Sequence, residues 1–289
     1  MKYLFKPLTI LIIIVLVIVG FNLFILDNKN KNNNGNDNAG QTSSDQDNTN
    51  NGNNGSNDFT TTSPKVVYQE EPAYKNAKYF QKITTIKGQL TYFSYPLEIN
   101  PENPPILIVY SHGSVSFVST NLNDSFMKEL QVYAKQFSNN GYAFIASNEH
   151  GTSYGNQDAL NDITNSINYI KNNYKMQEKV YMIGYSMGGL PPIYYAFSHP
   201  DVISKMALLA PVTYTDDQPS YYKLKDIKIK IWHGDADKNV PQYTTQDFYN
   251  YMINTVKSKN IQYIKIPGAS HWDLNPQLAP DIYKFFSEK

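Results

Sequence analysis

The sequence predicts an α/β fold with a mostly parallel central sheet flanked by helices, and three observations lead to this prediction. Six near-continuous apolar runs are typical of strands that helices cover on both faces. The spacers between most of them carry apolar residues at helical spacing. A Gly-x-Ser-x-Gly stretch, residues 184–188, stands between one predicted strand and a predicted helix. Strand and helix alternating through about 210 residues indicate a single domain of this class.

The elements follow in chain order. The composition becomes globular at about Lys65, and Phe80–Ile86 and Gln89–Tyr95, split by Lys87-Gly88, alternate like an antiparallel pair. The predicted strands after this pair are 106–110, 142–147, 180–183, 205–210, 227–232 and 261–266. Helical spacing predicts helices over 122–138, 158–174, 244–259 and 275–288, besides the one that follows residue 188.

Residues 1–26 predict a transmembrane signal anchor. Lys2 and Lys6 precede the apolar stretch Leu8–Leu26, whose nineteen residues are about the length that crosses a bilayer core. No small-x-small cleavage site follows it, which favours an uncleaved anchor. A cleaved signal peptide is the alternative interpretation. The basic N-terminus favours a cytoplasmic start, which places the folded domain outside the cell. We therefore expect a single-pass cell-membrane protein, or a secreted one if the segment is cleaved.

The following residues, 27–64, predict a disordered linker. Residues 28–58 contain thirteen asparagines, and Ala39 is their only apolar side chain. Such a segment cannot bury enough apolar surface to offset the entropy lost on ordering. The predicted organisation is therefore an anchor at 1–26, a linker at 27–64 and a catalytic domain at 65–289.

The composition excludes several classes of function. Lysine plus arginine balances aspartate plus glutamate, 25 against 25, so no net charge points to nucleic acid. The chain has no cysteine, which excludes disulfides, thiolate metal sites and a cysteine nucleophile. No two of the five histidines stand four residues apart. We expect no metal and no cofactor, and the sequence leaves the oligomeric state open.

The stretch from Gly184 to Gly189 carries the candidate nucleophile. A Gly-x-Ser-x-Gly turn between strand and helix is so tight that side chains at Gly184 and Gly188 would collide with the backbone. The turn presents the hydroxyl of Ser186 at the carboxyl end of the sheet, where a substrate can reach it. In a sheet of this class, functional side chains collect at that edge.

Partners for Ser186 follow two later strands. The strand 227–232 runs into His233-Gly-Asp-Ala-Asp237-Lys-Asn-Val-Pro241, and the strand 261–266 runs into Pro267-Gly-Ala-Ser-His271-Trp272. A further motif, Ser111-His112-Gly113-Ser114, follows an early strand. With these motifs, and with the chain order Ser, Asp, His, the sequence resembles the α/β-hydrolase superfamily, specifically its serine esterase and lipase-like branch. The resemblance covers about residues 80–288. It implies the α/β-hydrolase fold.

The chemistry requires these residue types. Ser186 needs a base within hydrogen-bond reach, which is the role of His271. Asp237 would orient the imidazole and stabilise its protonated form. The resemblance implies that the backbone N–H groups of Met187 and Ser114 form the oxyanion hole.

Several residues keep a second interpretation. Asp235 is the alternative to Asp237 as the acid, although the spacing within the resemblance favours Asp237. Glu149-His150-Gly151 either lines a pocket or is a solvated loop, and Trp272 is either a substrate wall or a packing residue. His112 is interpreted as a residue that organises the loop of the implied oxyanion donor Ser114. His199 is interpreted as the residue at which a helix ends. The pair Pro191-Pro192 departs from the family pattern, because proline in the second turn predicts a late start or a kink.

The predicted function is hydrolysis of carboxylic esters, small or polymeric, through an acyl-serine intermediate outside the cell. A serine peptidase or acyltransferase on the same fold is the first alternative, and an inactive surface binding protein is the second. Only sixteen residues, Pro211 to Asp226, separate the strands 205–210 and 227–232, so a minimal or absent lid is expected.

Overall fold

The computed structural model describes residues 65–288, so the predicted anchor at 1–26 and linker at 27–64 lie outside the described residues. Within the described part, no helix is long and apolar enough to cross a membrane. The strands of this part are β1 (Val66–Val67), β2 (Tyr79–Ile86), β3 (Gln89–Pro96), β4 (Glu98–Ile99), β5 (Leu107–Ser111), β6 (Ala143–Ser147), β7 (Val180–Tyr185), β8 (Ile203–Leu209), β9 (Lys228–Gly234) and β10 (Ile261–Ile266). Its α-helices are α1 (Ser125–Ser138), α2 (Gln157–Asn173), α3 (Leu190–Ser198), α4 (Gln242–Asn254) and α5 (Ala279–Ser287).

Eight of these strands form one sheet, in the order β10-β9-β8-β7-β5-β6-β3-β2. Strands β5 to β10 pair in parallel, whereas β3 is antiparallel to β6 and β2 is antiparallel to β3. The short strands β1 and β4 form a separate antiparallel pair. This is the mostly parallel sheet that the apolar runs predicted, with an antiparallel pair at one edge.

Helices cover both faces of the sheet because its parallel strands are apolar on both sides. Along β5, Leu107 and Val109 pack into the core that α2, α3 and α4 complete. Ile108 and Tyr110 point the other way, into the core that α1 and α5 complete. Alternation along a strand sends successive side chains to opposite faces, so one buried strand serves two cores.

The α/β-hydrolase fold is thus confirmed, while several helix ends differ from the prediction. Helix α1 begins at Ser125 rather than at residue 122, and α4 runs from Gln242 to Asn254 rather than from 244 to 259. Helix α5 begins at Ala279, four residues after the predicted start at 275. Apolar periodicity does not mark where the backbone enters or leaves a helix, because the flanking loops also bury apolar side chains.

Candidate active site

The turn after β7 holds Ser186 in a backbone conformation that side chains rarely adopt. Its φ is 57°, in the left-handed region, and residues Ser186–Gly189 form a 3₁₀ turn before α3 begins. A Cβ at Gly184 would stand 2.3 Å from the carbonyl oxygen of Gly188, and one at Gly188 would stand 2.2 Å from that of Ser111. Only glycine fits either position, so the steric argument from sequence holds in the structure.

Proline causes no kink in the helix that follows the turn. The 3₁₀ turn takes up the first residues, and α3 starts only at Leu190, so Pro191 and Pro192 lie in its first turn. Backbone N–H groups there have no partner within the helix, and proline costs nothing by lacking one. Of the two alternatives that the sequence left, the structure has the late start.

Three side chains from three loops form a continuous hydrogen-bond chain. His271 lies 2.9 Å through Nε2 from Ser186 Oγ, and 2.7 Å through Nδ1 from Asp237 Oδ2. All three side chains are nearly or fully buried.

Sequence reasoning missed Tyr185, whose hydroxyl donates to the carbonyl of His271 at 3.1 Å and whose ring packs 5.2 Å from the imidazole. Only the adjacency of Tyr185 to Ser186 hinted at such a role.

Asp237 is the aspartate that the fold brings to His271. Its Oδ1 accepts the N–H groups of Asn239 at 2.8 Å and Val240 at 2.9 Å. Burial by itself would raise the pKa of this carboxyl. Its pKa is nevertheless well below the ordinary value, because the carboxylate accepts hydrogen bonds from His233, His271 and the Val240 N–H and lies beside the charge of His271. The carboxylate is therefore ionised at neutral pH.

Asp235, the alternative acid, is turned away from His271. One of its oxygens accepts the N–H of Gly268 at 2.6 Å, and the other lies 3.5 Å from the Lys265 ammonium. It thereby ties the loop after β9 to the loop after β10. The structure gives Asp235 the role of ordering this turn.

The predicted oxyanion donors lie in the 3₁₀ turn and in the loop after β5. The N–H of Met187 is in the first turn of the 3₁₀ helix, where no intrahelical acceptor is available. Ser114 follows His112-Gly113 in the loop, and its carbonyl accepts the hydroxyl of Thr152 at 3.1 Å. The His112 ring lies between the carbonyls of Gly113 at 2.7 Å and Asn148 at 3.0 Å, and burial lowers its pKa. His112 thus braces the loop.

Glu149 neither lines an open pocket nor is solvated. Its side chain is buried, and Oε1 accepts the Ser111 hydroxyl at 2.7 Å, while Oε2 has no hydrogen-bond partner among residues 65–288. Burial raises the pKa of Glu149 to about 8, opposed by the Ser111 hydrogen bond and reinforced by Asp162. His150 turns to α2, where its Nδ1 lies 2.7 Å from Asp162. His199 ends α3, stacked on Tyr195.

The loops that carry the site also carry exposed apolar side chains. Trp272 is 54% exposed and meets the His271 ring edge-on at 5.1 Å. Val115 and Phe117, in the loop of Ser114, are also exposed, as is Tyr214 after β8. In the connection between β8 and β9, Tyr221 is buried in the core, while Tyr222 is exposed. Trp272 therefore faces solvent beside His271.

Two clefts of about 470 and 330 Å³ lie elsewhere. The second is lined by Ile106, Tyr142 and Gln177, which precede β5, β6 and β7, so it opens at the amino-terminal edge of the sheet. Within residues 65–288, no three histidine or acidic side chains cluster so as to hold a metal ion.

Comparison with known proteins gives a family match and structural neighbours. The family described as serine aminopeptidase, S33, matches residues 125–227, which include Ser186 but neither Asp237 nor His271. No curated protein sequence matches the chain.

Three solved structures illustrate the likeness in fold. An S-formylglutathione hydrolase from Staphylococcus aureus is 18% identical with a TM-score of 0.55, over 73% of this chain and 96% of that one. Est1E from Butyrivibrio proteoclasticus is 17% identical with a TM-score of 0.51, over 71% of this chain and 95% of that one. A proposed dipeptidyl aminopeptidase IV from Bacteroides ovatus is 14% identical with a TM-score of 0.58, over 75% of this chain. The match covers only 37% of the length of that longer protein.

Proposed function

We propose that the chain is a member of the α/β-hydrolase superfamily, whose fold it shares with solved hydrolases and esterases, and that it hydrolyses carboxylic esters through an acyl-serine intermediate. Ser186 is the nucleophile, His271 the general base and acid, and Asp237 the acid that orients the histidine. The observation that carries the proposal is the unbroken hydrogen-bond chain from Ser186 Oγ through His271 to Asp237 Oδ2, with distances of 2.9 and 2.7 Å.

The reaction follows from this geometry. Ser186 Oγ attacks the ester carbonyl carbon while its proton moves to Nε2 of His271. The oxyanion of the tetrahedral intermediate accepts the N–H groups of Met187 and Ser114. The protonated imidazole then gives its proton to the departing alcohol, and the acyl group stays on Ser186. Water, deprotonated by His271, releases the acid and restores the serine.

Asp237 contributes through its charge and its position. Because its carboxylate is buried and stays ionised, it stabilises the imidazolium that forms in each half-reaction. Its bond to Nδ1 also requires that nitrogen to carry a proton, which leaves the Nε2 lone pair facing Ser186.

Exposed apolar side chains near the triad support a broad range of substrate sizes. Trp272 follows His271 directly, and Phe117 and Val115 lie in the loop of Ser114, where exposed aromatic rings offer flat apolar contact. Small acyl esters and bulky or polymeric esters therefore both belong to the proposal.

A peptidase or acyltransferase activity is the second candidate, and the match of residues 125–227 to a family described as serine aminopeptidase favours it. The same triad would serve, with an amine as leaving group or with an acceptor other than water. Rates on matched nitrophenyl esters and nitroanilides of one acyl group separate an esterase from a peptidase. An inactive surface binding protein, the remaining alternative, would hydrolyse neither.

The proposal places the enzyme outside the cell, tethered to the membrane. The sequence of residues 1–26 supports an anchor, and the asparagine-rich residues 27–64 support a spacer between it and the folded domain. A flexible coil of the latter length reaches roughly 30 Å, which would give the enzyme access to bulky substrates near the cell surface.

Replacement of the nucleophile tests the proposal. Ser186→Ala should lower the hydrolysis of nitrophenyl butyrate by up to about a million-fold and abolish labelling by a fluorophosphonate, because the hydroxyl that His271 activates is removed. Ser198→Ala, twelve residues later at the end of α3, is the matched control and should keep both properties. Retention of a tenth of the wild-type rate by Ser186→Ala would contradict the proposal.

A further inference from the structure

His233 lies buried behind the triad, at the end of β9. It is fully buried, and so is the Asp237 side chain four residues later. The Nε2 atom of His233 lies 3.2 Å from Asp237 Oδ2 and 3.0 Å from the carbonyl oxygen of Val240. On the other side of the ring, Nδ1 lies 2.9 Å from the Thr245 hydroxyl in α4. Each ring nitrogen of His233 therefore has a defined partner.

Asp237 Oδ2 is shared by two histidines. His271 Nδ1 lies 2.7 Å from it, and His233 Nε2 lies 3.2 Å from the same oxygen. The other carboxylate oxygen is taken up by the N–H groups of Asn239 and Val240. Four donors thus surround one buried carboxylate, and His233 is the side-chain donor among them to which the sequence analysis gave no role.

The proton on His233 can be assigned from its neighbours. The partners of Nε2 are an ionised carboxylate and a backbone carbonyl, which accept hydrogen bonds and have no proton to give. A proton on Nε2 is therefore required in either charge state of the ring. The hydroxyl of Thr245 lies 2.9 Å from Nδ1 and donates to the carbonyl oxygen of Pro211 at 3.2 Å, so this contact holds the ring between α4 and the backbone.

From this arrangement we infer that His233 is a positioning residue of the triad, which holds Asp237 in the orientation that His271 needs by donating its Nε2–H to Oδ2. The inference rests on the proposed function. Asp237 stands in a loop, and without a donor behind it the carboxylate could rotate about its side-chain torsions and lengthen the bond to His271. The substrate does not touch His233, so its effect should fall on the rate of the chemical step.

Two amide substitutions distinguish this role from simple packing. The amide nitrogen of glutamine reaches about as far as Nε2 of histidine, whereas that of asparagine stands near the position of Nδ1. His233→Gln should therefore keep the donor to Asp237 and retain kcat within about threefold. His233→Asn should lower kcat on the order of ten- to a hundredfold, the loss known for outer hydrogen-bond partners of functional histidines at metal sites, while KM changes less than about twofold.

A second pair of variants addresses the far side of the ring. Thr245→Val removes the hydroxyl that orients His233 and should lower kcat in the same direction as His233→Asn, but by less. Thr244→Val is its control, because the hydroxyl of Thr244 bonds the carbonyl of Pro241 and has no contact with the triad. Thermal melting of all four variants reports stability separately from kcat.

The inference has an observable that needs no substitution. In the ¹⁵N spectrum of the full-length protein, the Nε2 of His233 should carry a proton throughout the pH range in which the protein is folded. A ring protonated at Nδ1 alone would overturn the inference. So would equal losses of kcat in His233→Gln and His233→Asn, or no loss in either.

The outcomes separate this inference from the proposed function. If Ser186→Ala stays active in the same assay, the triad itself is wrong and the inference falls with it. If Ser186→Ala is inactive while the two His233 variants behave alike, the triad stands and only the role of His233 is overturned.

Discussion

The environments of Asp235 and Asp237 differ sharply although the two residues are nearly adjacent. Asp237 is enclosed by hydrogen-bond donors and faces His271, whereas Asp235 lies at the surface and pairs with Lys265 and the Gly268 N–H. Both aspartates contact the loop after β10, but Asp235 meets Gly268 and Asp237 meets His271. Each carboxylate then has a separate task.

The two aspartates yield the first prediction. Asp237→Asn should lower kcat about ten-thousand-fold, because an amide at this position favours the wrong tautomer of His271 and carries no charge for the imidazolium. Asp235→Asn is the matched control and should lower kcat less than about tenfold, since it loosens only the loop. Ester hydrolysis by the two purified variants measures both effects. The reverse ranking would make Asp235 the triad acid.

Glu149 carries a second prediction at this scale. Its pKa is about 8 in the folded protein against an ordinary value of 4.5, because the carboxyl is buried beside Asp162 with only Ser111 as a partner. Between these two pH values the unfolded chain loses the proton and the folded chain keeps it. The contribution of Glu149 to the free energy of unfolding is thus fully present below pH 4.5 and is lost as the pH rises through about 8.

Glu149→Gln should remove this penalty while keeping the shape of the side chain. Its melting temperature should match that of the wild type near pH 4.5 and exceed it increasingly towards pH 8. The gain should be on the order of 1 to 4 kcal/mol. Thermal melts at several pH values measure it, with the exposed Glu71→Gln as the control. A constant difference across the range would contradict the assigned protonation.

At the scale of elements, the connection between β8 and β9 decides how the site opens. It contains a short 3₁₀ helix, Gln218–Leu224, rather than an amphipathic α-helix. Tyr221 and Leu224 of this segment are buried, and the Tyr221 hydroxyl donates to the carbonyl of Thr213 at 2.5 Å. A segment fastened to the core in this way cannot swing over the active site as a lid.

Kinetics on short esters test this description. The rate on nitrophenyl butyrate should saturate with concentration below the solubility limit, and no jump should occur when droplets form, because no cover has to move. The measurement is the rate across the solubility limit with and without an added interface. A sharp rise only after droplets appear would mean that a segment covers Ser186.

At the scale of the whole molecule, the parallel strands collect the chemistry at one edge. Ser186, Asp237 and His271 follow β7, β9 and β10, and the loop with the proposed oxyanion donor Ser114 follows β5, so all lie beyond the carboxyl ends of their strands. The pairing of β5 with β7 brings Ser111 beside Gly184 and therefore sets the oxyanion loop against the turn of Ser186. The sheet is thus the scaffold on which residues distant in sequence meet.

The proposed tether is a prediction about the whole chain. Full-length protein should fractionate with membranes and become soluble only with detergent, because Leu8–Leu26 is long enough to cross a bilayer core. Residues 65–289 expressed alone should be soluble and retain kcat on small esters. Mature protein recovered from the medium, with an N-terminus beyond Leu26, would instead favour the cleaved signal peptide.

Much of this protein follows from its sequence alone. Apolar runs and helical spacers predicted the mostly parallel sheet. Burial of one or both faces of an element sets the spacing of its apolar residues, and this spacing can be read from a short stretch of sequence. Steric limits at Gly184 and Gly188 predicted the turn of Ser186, and chain order proposed Asp237 and His271 as its partners. Each of these depends on a few neighbouring residues.

Tertiary structure alone decided the rest. It selected Asp237 over Asp235 as the partner of His271, buried Glu149 against Ser111, and put His233 behind the acid and Tyr185 beside the histidine. Hydrogen bonds between residues far apart in the chain have no sequence period, since they depend on which way a loop turns after its strand ends. Side-chain partners and protonation in this site are therefore properties of the assembled sheet.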